Sequence, residues 1–230
     1  MLNLLVVVLA FLMVPAPMLA QATDGPKRAL VEVNTTQGRM VIALYNETPA
    51  HRDNFLRLVK EHYYDSTVFH RVLPGAMIIG GDPASRHADD RHTVLGRGQA
   101  GGSLAPEITP DILHVKGALG MVRDETRPAA DKRSHGAFFY LVLGQDWTPG
   151  DLRALEQKRA ALDPGSARPY TPEQVRSYAT NGGAPRMDGE YTVFGQVLEG
   201  LEVLDRIAAL PVDGRDRPET DVRIWMRVLP

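Results

Sequence analysis

Apolar and polar positions alternate from Leu30 to Thr35, with Val31, Val33 and Thr35 on one face, and the alternation resumes from Arg39 to Leu44 after Gln37-Gly38. That pattern predicts a β-hairpin. Thr48-Pro49 then predicts a helix start, with Thr48 as N-cap, Pro49 in the first helical position and Phe55, Leu56 and Val59 as its apolar stripe. Short apolar runs at 68–73 and 76–79, separated by Pro74-Gly75 and closed by Gly80-Gly81, predict two further strands. Residues 82–116 are polar and rich in Gly, Pro and His without sustained periodicity, and read as a long surface loop with one short turn of helix.

Strand signals return at 117–123, 138–143, 191–198 and 222–228. Between Gln145 and Pro185 the period changes to helical: Leu152, Leu155, Ala160 and Leu162 follow Thr148-Pro149, and Val175 and Tyr178 follow Thr171-Pro172. A last helix is predicted from about 201 to 210. Many short strands with a few helices predict an all-β barrel whose mouths are closed by helices.

The N-terminus departs from this alternation. Residues 2–14 carry no charge and, Asn3 apart, are apolar, and are followed by Pro15, Pro17 and the small-residue pattern Ala20-Gln21-Ala22. This layout predicts a secretory signal peptide over 1–22, cut after Ala22 or nearby, and a mature domain over 23–230. The run is shorter than the ~18 apolar residues a spanning helix needs. No Lys or Arg precedes it, so only the amino terminus supplies the usual positive charge. The expected location is outside the cytoplasm of a bacterium, periplasmic or secreted, with no membrane attachment after cleavage.

With 230 residues and 43% hydrophobic composition the chain is long enough for one sizeable core and one domain. Its 26 Lys and Arg nearly cancel 28 Asp and Glu, and no stretch concentrates either sign, so no nucleic-acid or membrane-surface partner is expected. The absence of cysteine removes thiol nucleophiles, disulfides and thiolate metal sites.

The segment Val68-Phe69-His70-Arg71-Val72-Leu73-Pro74-Gly75-Ala76-Met77-Ile78-Ile79-Gly80-Gly81-Asp82 places one cation inside an otherwise apolar strand pair. Here the sequence resembles the cyclophilin family of peptidyl-prolyl cis/trans isomerases. The resemblance extends through Thr36-Gln37-Gly38, Thr48-Pro49 with Asn54-Phe55, Gly117-Ala118-Leu119-Gly120-Met121, Phe139-Tyr140 and Tyr191-Thr192-Val193-Phe194-Gly195, covering nearly all of 30–229. It implies a mainly β fold, a closed antiparallel eight-stranded barrel with helices capping its ends. A helical insert over about 145–187, ending in Gly182-Gly183-Ala184-Pro185, is similar to one found in a bacterial subgroup. About forty residues with few apolar positions cannot bury a core of their own, so the insert is expected to pack outside the barrel.

The resemblance also implies an activity: isomerisation of X-Pro bonds without metal or cofactor, by a monomer acting on proline-containing peptides and on unfolded or partly folded exported proteins. It implies Arg71 as the catalytic residue. It implies a substrate groove formed by His70, Met77, Ile79, Val122, Arg123, Phe138, Tyr140, Met187 and Tyr191, with Phe139 turned into the core because neighbouring strand residues alternate faces. Read from the residues alone, Arg71 is equally a surface strand arginine paired with a carboxylate, His70 a structural histidine, and Met77 and Tyr140 barrel core.

Four positions depart from the family pattern. Ile79 and Phe138 stand where glutamines are usual, Ala76 stands where an aromatic precedes the pocket methionine, and the family's rim tryptophan aligns with Arg186. The two glutamines normally help to orient the arginine and hold the substrate backbone, so their loss points to an alternative function as a weakly active or non-catalytic proline-peptide-binding module or chaperone. His87 and His92 with Asp89 and Asp90 match no standard ligand spacing, and Gly96-Arg97-Gly98 to Gly101-Gly102 lack the strand and helix that flank a phosphate loop. Those glycines are expected to form a connection beside the groove.

Overall fold

The computed structural model describes residues 27–88, 92–98, 101–163 and 168–230. The expected signal segment, and Asp89 and Asp90 of the histidine-rich loop, lie outside the described residues. The hairpin read from the first alternation is β1 (Leu30–Thr35) and β2 (Gly38–Leu44), paired antiparallel from Leu30↔Ala43 to Thr35↔Gly38. The remaining strands are β3 (Arg71–Leu73), β4 (Met77–Gly80), β5 (Ser103–Leu104), β6 (Ala118–Arg123), β7 (Ser134–Val142), β8 (Val193–Glu199) and β9 (Ile224–Val228).

The strands form one antiparallel sheet in the order β3-β4-β7-β6-β8-β2-β1-β9, with β5 added to β7. Where a closed eight-stranded barrel was expected, the nine strands form a curled antiparallel path without a ladder between its ends. No ladder joins its end strands β3 and β9; the segments 66–69 and 222–224 ahead of them meet through the bridge Val68↔Arg223 and through the bonds from Ser66 N to Ile224 O (2.8 Å), from Phe69 N to Val222 O (3.0 Å) and from Ile224 N to Thr67 O (2.8 Å). The strand expected over 68–73 is therefore shortened to three residues. Ser66, with φ 63°, lies in the left-handed region and breaks the extended run just before it.

The helix after Pro49 is α1 (Pro49–Lys60). Its buried face is His51, Phe55, Leu58 and Val59, an i, i+4, i+7, i+8 set, and Leu58 takes the place in the stripe that the sequence reading assigned to Leu56. Phe55 meets the rings of Tyr64, Phe139 and Phe194 at 5.2, 5.8 and 5.3 Å. Burying each such ring contributes about 1.5–3 kcal/mol, which makes α1 the plug of one end of the curled sheet.

The insert is α2 (Pro149–Leu162) and α3 (Pro172–Asn181), each opened by a capping box, Thr148 with Asp151 and Thr171 with Gln174. Leu152 and Tyr178 are the residues these two helices bury. The final helix, α4 (Leu201–Ala208), buries Val203, Leu204 and Ile207 and stops two residues before the sequence estimate. None of the described helices is long and apolar enough to cross a membrane.

Candidate active site

Strand register sets the site. Arg71 on β3 pairs with Ile79 on β4, Ile79 with Tyr140 on β7, and Tyr140 with Gly120 on β6. Directly paired residues share a face, so these side chains form one row across the outside of the sheet. The neighbouring row, Val72, Ile78 and Leu141, is fully buried in the core. Phe139 belongs to that inner face and sits edge-on to Tyr64 and Phe69. The alternation of β3 thus turns Arg71 outward while Val72 beside it enters the core.

Arg71 lies on the wall of a groove of about 980 Å³, lined also by His70, Ile79, Val122, Arg123 and Phe138 and by the segments 93–98 and 213–217. Its guanidinium is half exposed and donates from Nε (3.1 Å) and Nη2 (3.0 Å) to a single oxygen, Asp216 Oδ2. Arg71 therefore faces the groove and is at the same time paired with a carboxylate.

The floor is built by aromatic rings. Phe138 is 4% exposed, stacked on His135 at 3.9 Å and 17°, with the His70 ring 5.8 Å away. His135 Nδ1 accepts the backbone N–H groups of Ala137 (3.1 Å) and Phe138 (3.0 Å), and Nε2 faces Gly98 O at 2.9 Å, which fixes the neutral Nε2–H tautomer. His70 is buried and its Nδ1 has no hydrogen-bond partner. Burial holds its pKa down at about 4, against the opposing pull of Asp82. Asp82 is itself engaged with the loop, accepting Ala84 N at 2.9 Å and Gly96 N at 2.6 Å. Gly96 closes over the His70 ring, where a Cβ would come to 2.9 Å from Nε2.

Met77, Tyr140, Met187 and Tyr191 do not line this groove. They form an adjoining apolar cluster with Ala118, Val142 and Val193, and Ile79 and Val122 belong to both. Tyr140 is 1% exposed and lies across Gly120, where any Cβ would overlap its ring. Arg123 spans the two regions: its guanidinium sits 4.7 Å from the Tyr191 ring centroid and donates to Ala129 O (2.9 Å) and Glu190 O (2.6 Å). Arg186, aligned with the rim tryptophan, lies over the indole of Trp147 at 5.6 Å.

Asp216, His135 and Asp82 were not identified as site residues from sequence. Asp213-Gly214 in the 213–217 segment reads as a turn, yet nothing in the sequence ties that turn to Arg71. Among the described residues no group of three His, Asp or Glu side chains is placed to hold a metal ion.

A family model described as cyclophilin type peptidyl-prolyl cis-trans isomerase/CLD matches residues 30–227. A putative peptidyl-prolyl cis-trans isomerase of Staphylococcus haemolyticus is 32% identical over 195 residues, covering 84% of this chain and 87% of the relative. A putative bifunctional phosphatase/peptidyl-prolyl cis-trans isomerase of Streptococcus pyogenes is 34% identical over 205 residues, which cover 87% of this chain but only 38% of that longer protein. Among solved structures, a cyclophilin type peptidyl-prolyl cis-trans isomerase of Cryptosporidium parvum matches with TM-score 0.62 at 21% identity, over 88% of this chain and 98% of that one. The same protein in the presence of the dipeptide Ala-Pro matches with TM-score 0.61 at 22% identity, over 87% and 99%. At that identity the likeness is one of fold.

Proposed function

The chain belongs to the cyclophilin-type peptidyl-prolyl cis-trans isomerase family, and from that premise we propose that it isomerises X-Pro bonds of exported proteins with Arg71 as its catalytic residue. The observation that carries the assignment is the position of Arg71, outward on the groove wall in a strand whose next residue, Val72, is core.

An amide bond resists rotation by ~18–20 kcal/mol because its nitrogen lone pair is delocalised into the carbonyl, whereas the two X-Pro isomers differ by only about 1 kcal/mol. Catalysis therefore requires stabilisation of the twisted state alone. In that state the prolyl nitrogen regains its lone pair, and a guanidinium aimed at it binds the twisted state better than either planar isomer. The half-buried Ile79, Val122 and Met77 give the proline ring an apolar seat, with Tyr140, Met187 and Tyr191 behind it and Arg123 at its rim. His70 and Phe138 form the far end of the groove. The crystal structure of the Cryptosporidium protein in the presence of the dipeptide Ala-Pro supports proline peptides as the ligand class. The bonds between 66–69 and 222–224 support a barrel that closes at this seam.

The test is a protease-coupled isomerase assay on wild type and Arg71→Ala. Loss of one positioned donor commonly costs about 3–4 kcal/mol of transition-state stabilisation, and a loss of about 100-fold or more is expected with the fold unchanged. Wild-type turnover in the variant overturns the assignment. A second reading, a proline-peptide binder with little turnover, is favoured by the apolar Ile79 opposite Arg71, and it requires that wild type bind the peptide while leaving its slow isomerisation phase unchanged. The exported location is supported by the uncharged run 2–14 and by Ala20-Gln21-Ala22. It is tested by mass spectrometry of envelope material, where an intact Met1 in the membrane fraction would identify an anchor instead.

A further inference from the structure

We infer that Asp216 is the positioning residue for Arg71, supplying from the 213–217 turn the polar partner that Ile79 does not offer across the strand pair. The inference rests on the catalytic reading of Arg71. Ile79 directly faces Arg71 in the β3–β4 register and presents no hydrogen-bonding atom. Asp216 Oδ2 accepts from both Nε and Nη2, along one edge of the guanidinium, and Nη1 makes no hydrogen bond among the described residues. One edge of the fork is therefore held while the other remains available to a substrate.

An exposed ion pair is normally weak, because two flexible side chains must be ordered to make it. Here one partner is already ordered. Asp216 has φ 63°, in the left-handed region, and its backbone is braced on every side. Asp216 O accepts Val72 N at 2.8 Å, tying the turn to β3 beside Arg71 itself. Asp216 N donates to Asp213 O at 3.0 Å, and Asp213 Oδ1 accepts Arg215 N (2.8 Å) and Arg217 N (3.1 Å). Arg217 is 4% exposed, and its Nη2 donates to both oxygens of Asp221 and to Ala88 O, each at 2.8 Å. The turn is a rigid mount for a carboxylate.

An arginine carries large rotamer freedom, and a guanidinium fixed before the substrate arrives need not be ordered during the reaction. The same carboxylate also offsets part of Arg71's charge. If that offset dominated, removing Asp216 would speed turnover, so the sign of the effect decides.

The experiment measures kcat and KM on the full chain for wild type, Asp216→Ala, Asp216→Asn, Arg71→Ala and Arg71→Ala/Asp216→Ala, with thermal unfolding of each. Asp216→Ala is expected to lower kcat about 10-fold, the low end for a hydrogen bond to a charged group, with KM and the unfolding midpoint nearly unchanged. Asp216→Asn keeps the shape of the turn and one acceptor, and is expected to fall between the two; it serves as the deciding variant should alanine disturb the turn. In the Arg71→Ala background Asp216→Ala should cost nothing further, because the aspartate acts through the arginine. Ile79→Gln added to Asp216→Ala should recover part of the loss. Wild-type or faster turnover in the Asp216 variants, or a full additional loss in the double variant, overturns the inference. Unchanged turnover in Arg71→Ala instead overturns the catalytic reading beneath it.

Discussion

Tyr140 and His114 meet tip to tip: the phenol oxygen lies 2.9 Å from His114 Nε2, and His114 Nδ1 lies 2.7 Å from Asp188 Oδ1. That oxygen also accepts the His114 backbone N–H at 3.0 Å, and the other accepts the hydroxyls of Tyr170 (2.8 Å) and Tyr178 (2.5 Å). Burial, then the nearby Asp188 charge, pushes the Tyr170 and Tyr178 hydroxyls well above the ordinary tyrosine range, so they remain protonated donors. One carboxylate thereby binds the helical insert to the strand that carries Tyr140.

If this network holds the insert, Asp188→Ala should destabilise the protein by about 3 kcal/mol, because several buried donors lose their acceptor at once. Tyr178→Phe removes one donor of several and should cost about 1 kcal/mol. Urea unfolding of both variants checks this. A shift below about 0.5 kcal/mol for Asp188→Ala would show that the insert contributes no stability to the barrel.

Helix α1 gives a sharper contrast. Thr48 occupies the N-cap position, yet its Oγ1 is buried without a partner and makes no capping bond. The orphan amides of Ala50 and His51 are taken by Glu107, at 3.0 and 2.9 Å, and the same carboxylate holds His51 Nδ1 at 2.6 Å while His51 Nε2 reaches Ser134 Oγ at 2.9 Å. Burial pushes the Glu107 carboxyl up, but these donors together hold it below the usual range. Thr48→Val, which replaces an unsatisfied hydroxyl with a methyl, should change stability by less than about 0.5 kcal/mol. Glu107→Ala should cost about 2–4 kcal/mol, read from the same unfolding transitions.

This pair shows where the sequence stops being legible. The hairpin, the Pro49 start of α1 and both Thr-Pro helix starts of the insert were readable because their signals lie within a few residues of each other. Glu107 acts 56 residues from His51, and Asp216 acts 145 residues from Arg71. Contacts that long are set by sheet order, which no local period encodes. The missed start of β7 has the same origin: Ser134-His135-Gly136-Ala137 lacks an apolar run, and this stretch is extended because β5 and the Gly98 carbonyl hold it. Of the residues that resemblance pointed to, His70, Arg71, Ile79, Val122, Arg123 and Phe138 line the groove, while Met77, Tyr140, Met187 and Tyr191 lie in an adjoining cluster to which the insert adds Met187.

His70 carries a pH prediction. Its folded pKa is about 4 and its unfolded value is near 6.5, so the unfolded chain binds the extra proton first as pH falls. Stability contributed by the neutral, buried ring is full above about pH 6.5 and is lost progressively toward pH 4, to a total of roughly 3 kcal/mol. Asp82 opposes the shift, while Arg71 and Arg217 reinforce it. The measurement is urea unfolding at pH 7, 6, 5 and 4.5 for wild type and His70→Gln. The wild-type advantage should shrink steadily across that window, and a constant difference would show that His70 is protonated in the folded state.

The two apolar residues in place of glutamines are not equivalent, and replacing them separately tests that. Phe138 is packed between His135 and His70 at 4% exposure, so Phe138→Gln removes a stacked ring and buries an amide with few partners; a loss of about 3–5 kcal/mol is expected. Ile79 is half-buried on the groove wall, directly opposite Arg71, where an amide can reach both the guanidinium and a substrate backbone. Ile79→Gln should therefore fold normally and raise turnover, but only by about 3-fold or less, because Asp216 already accepts from two nitrogens of Arg71. Unfolding midpoints and protease-coupled rates on the two single variants decide it. A stable Phe138→Gln protein, or an Ile79→Gln protein slower than wild type, would show that the groove positions its substrate by contacts other than this row of side chains.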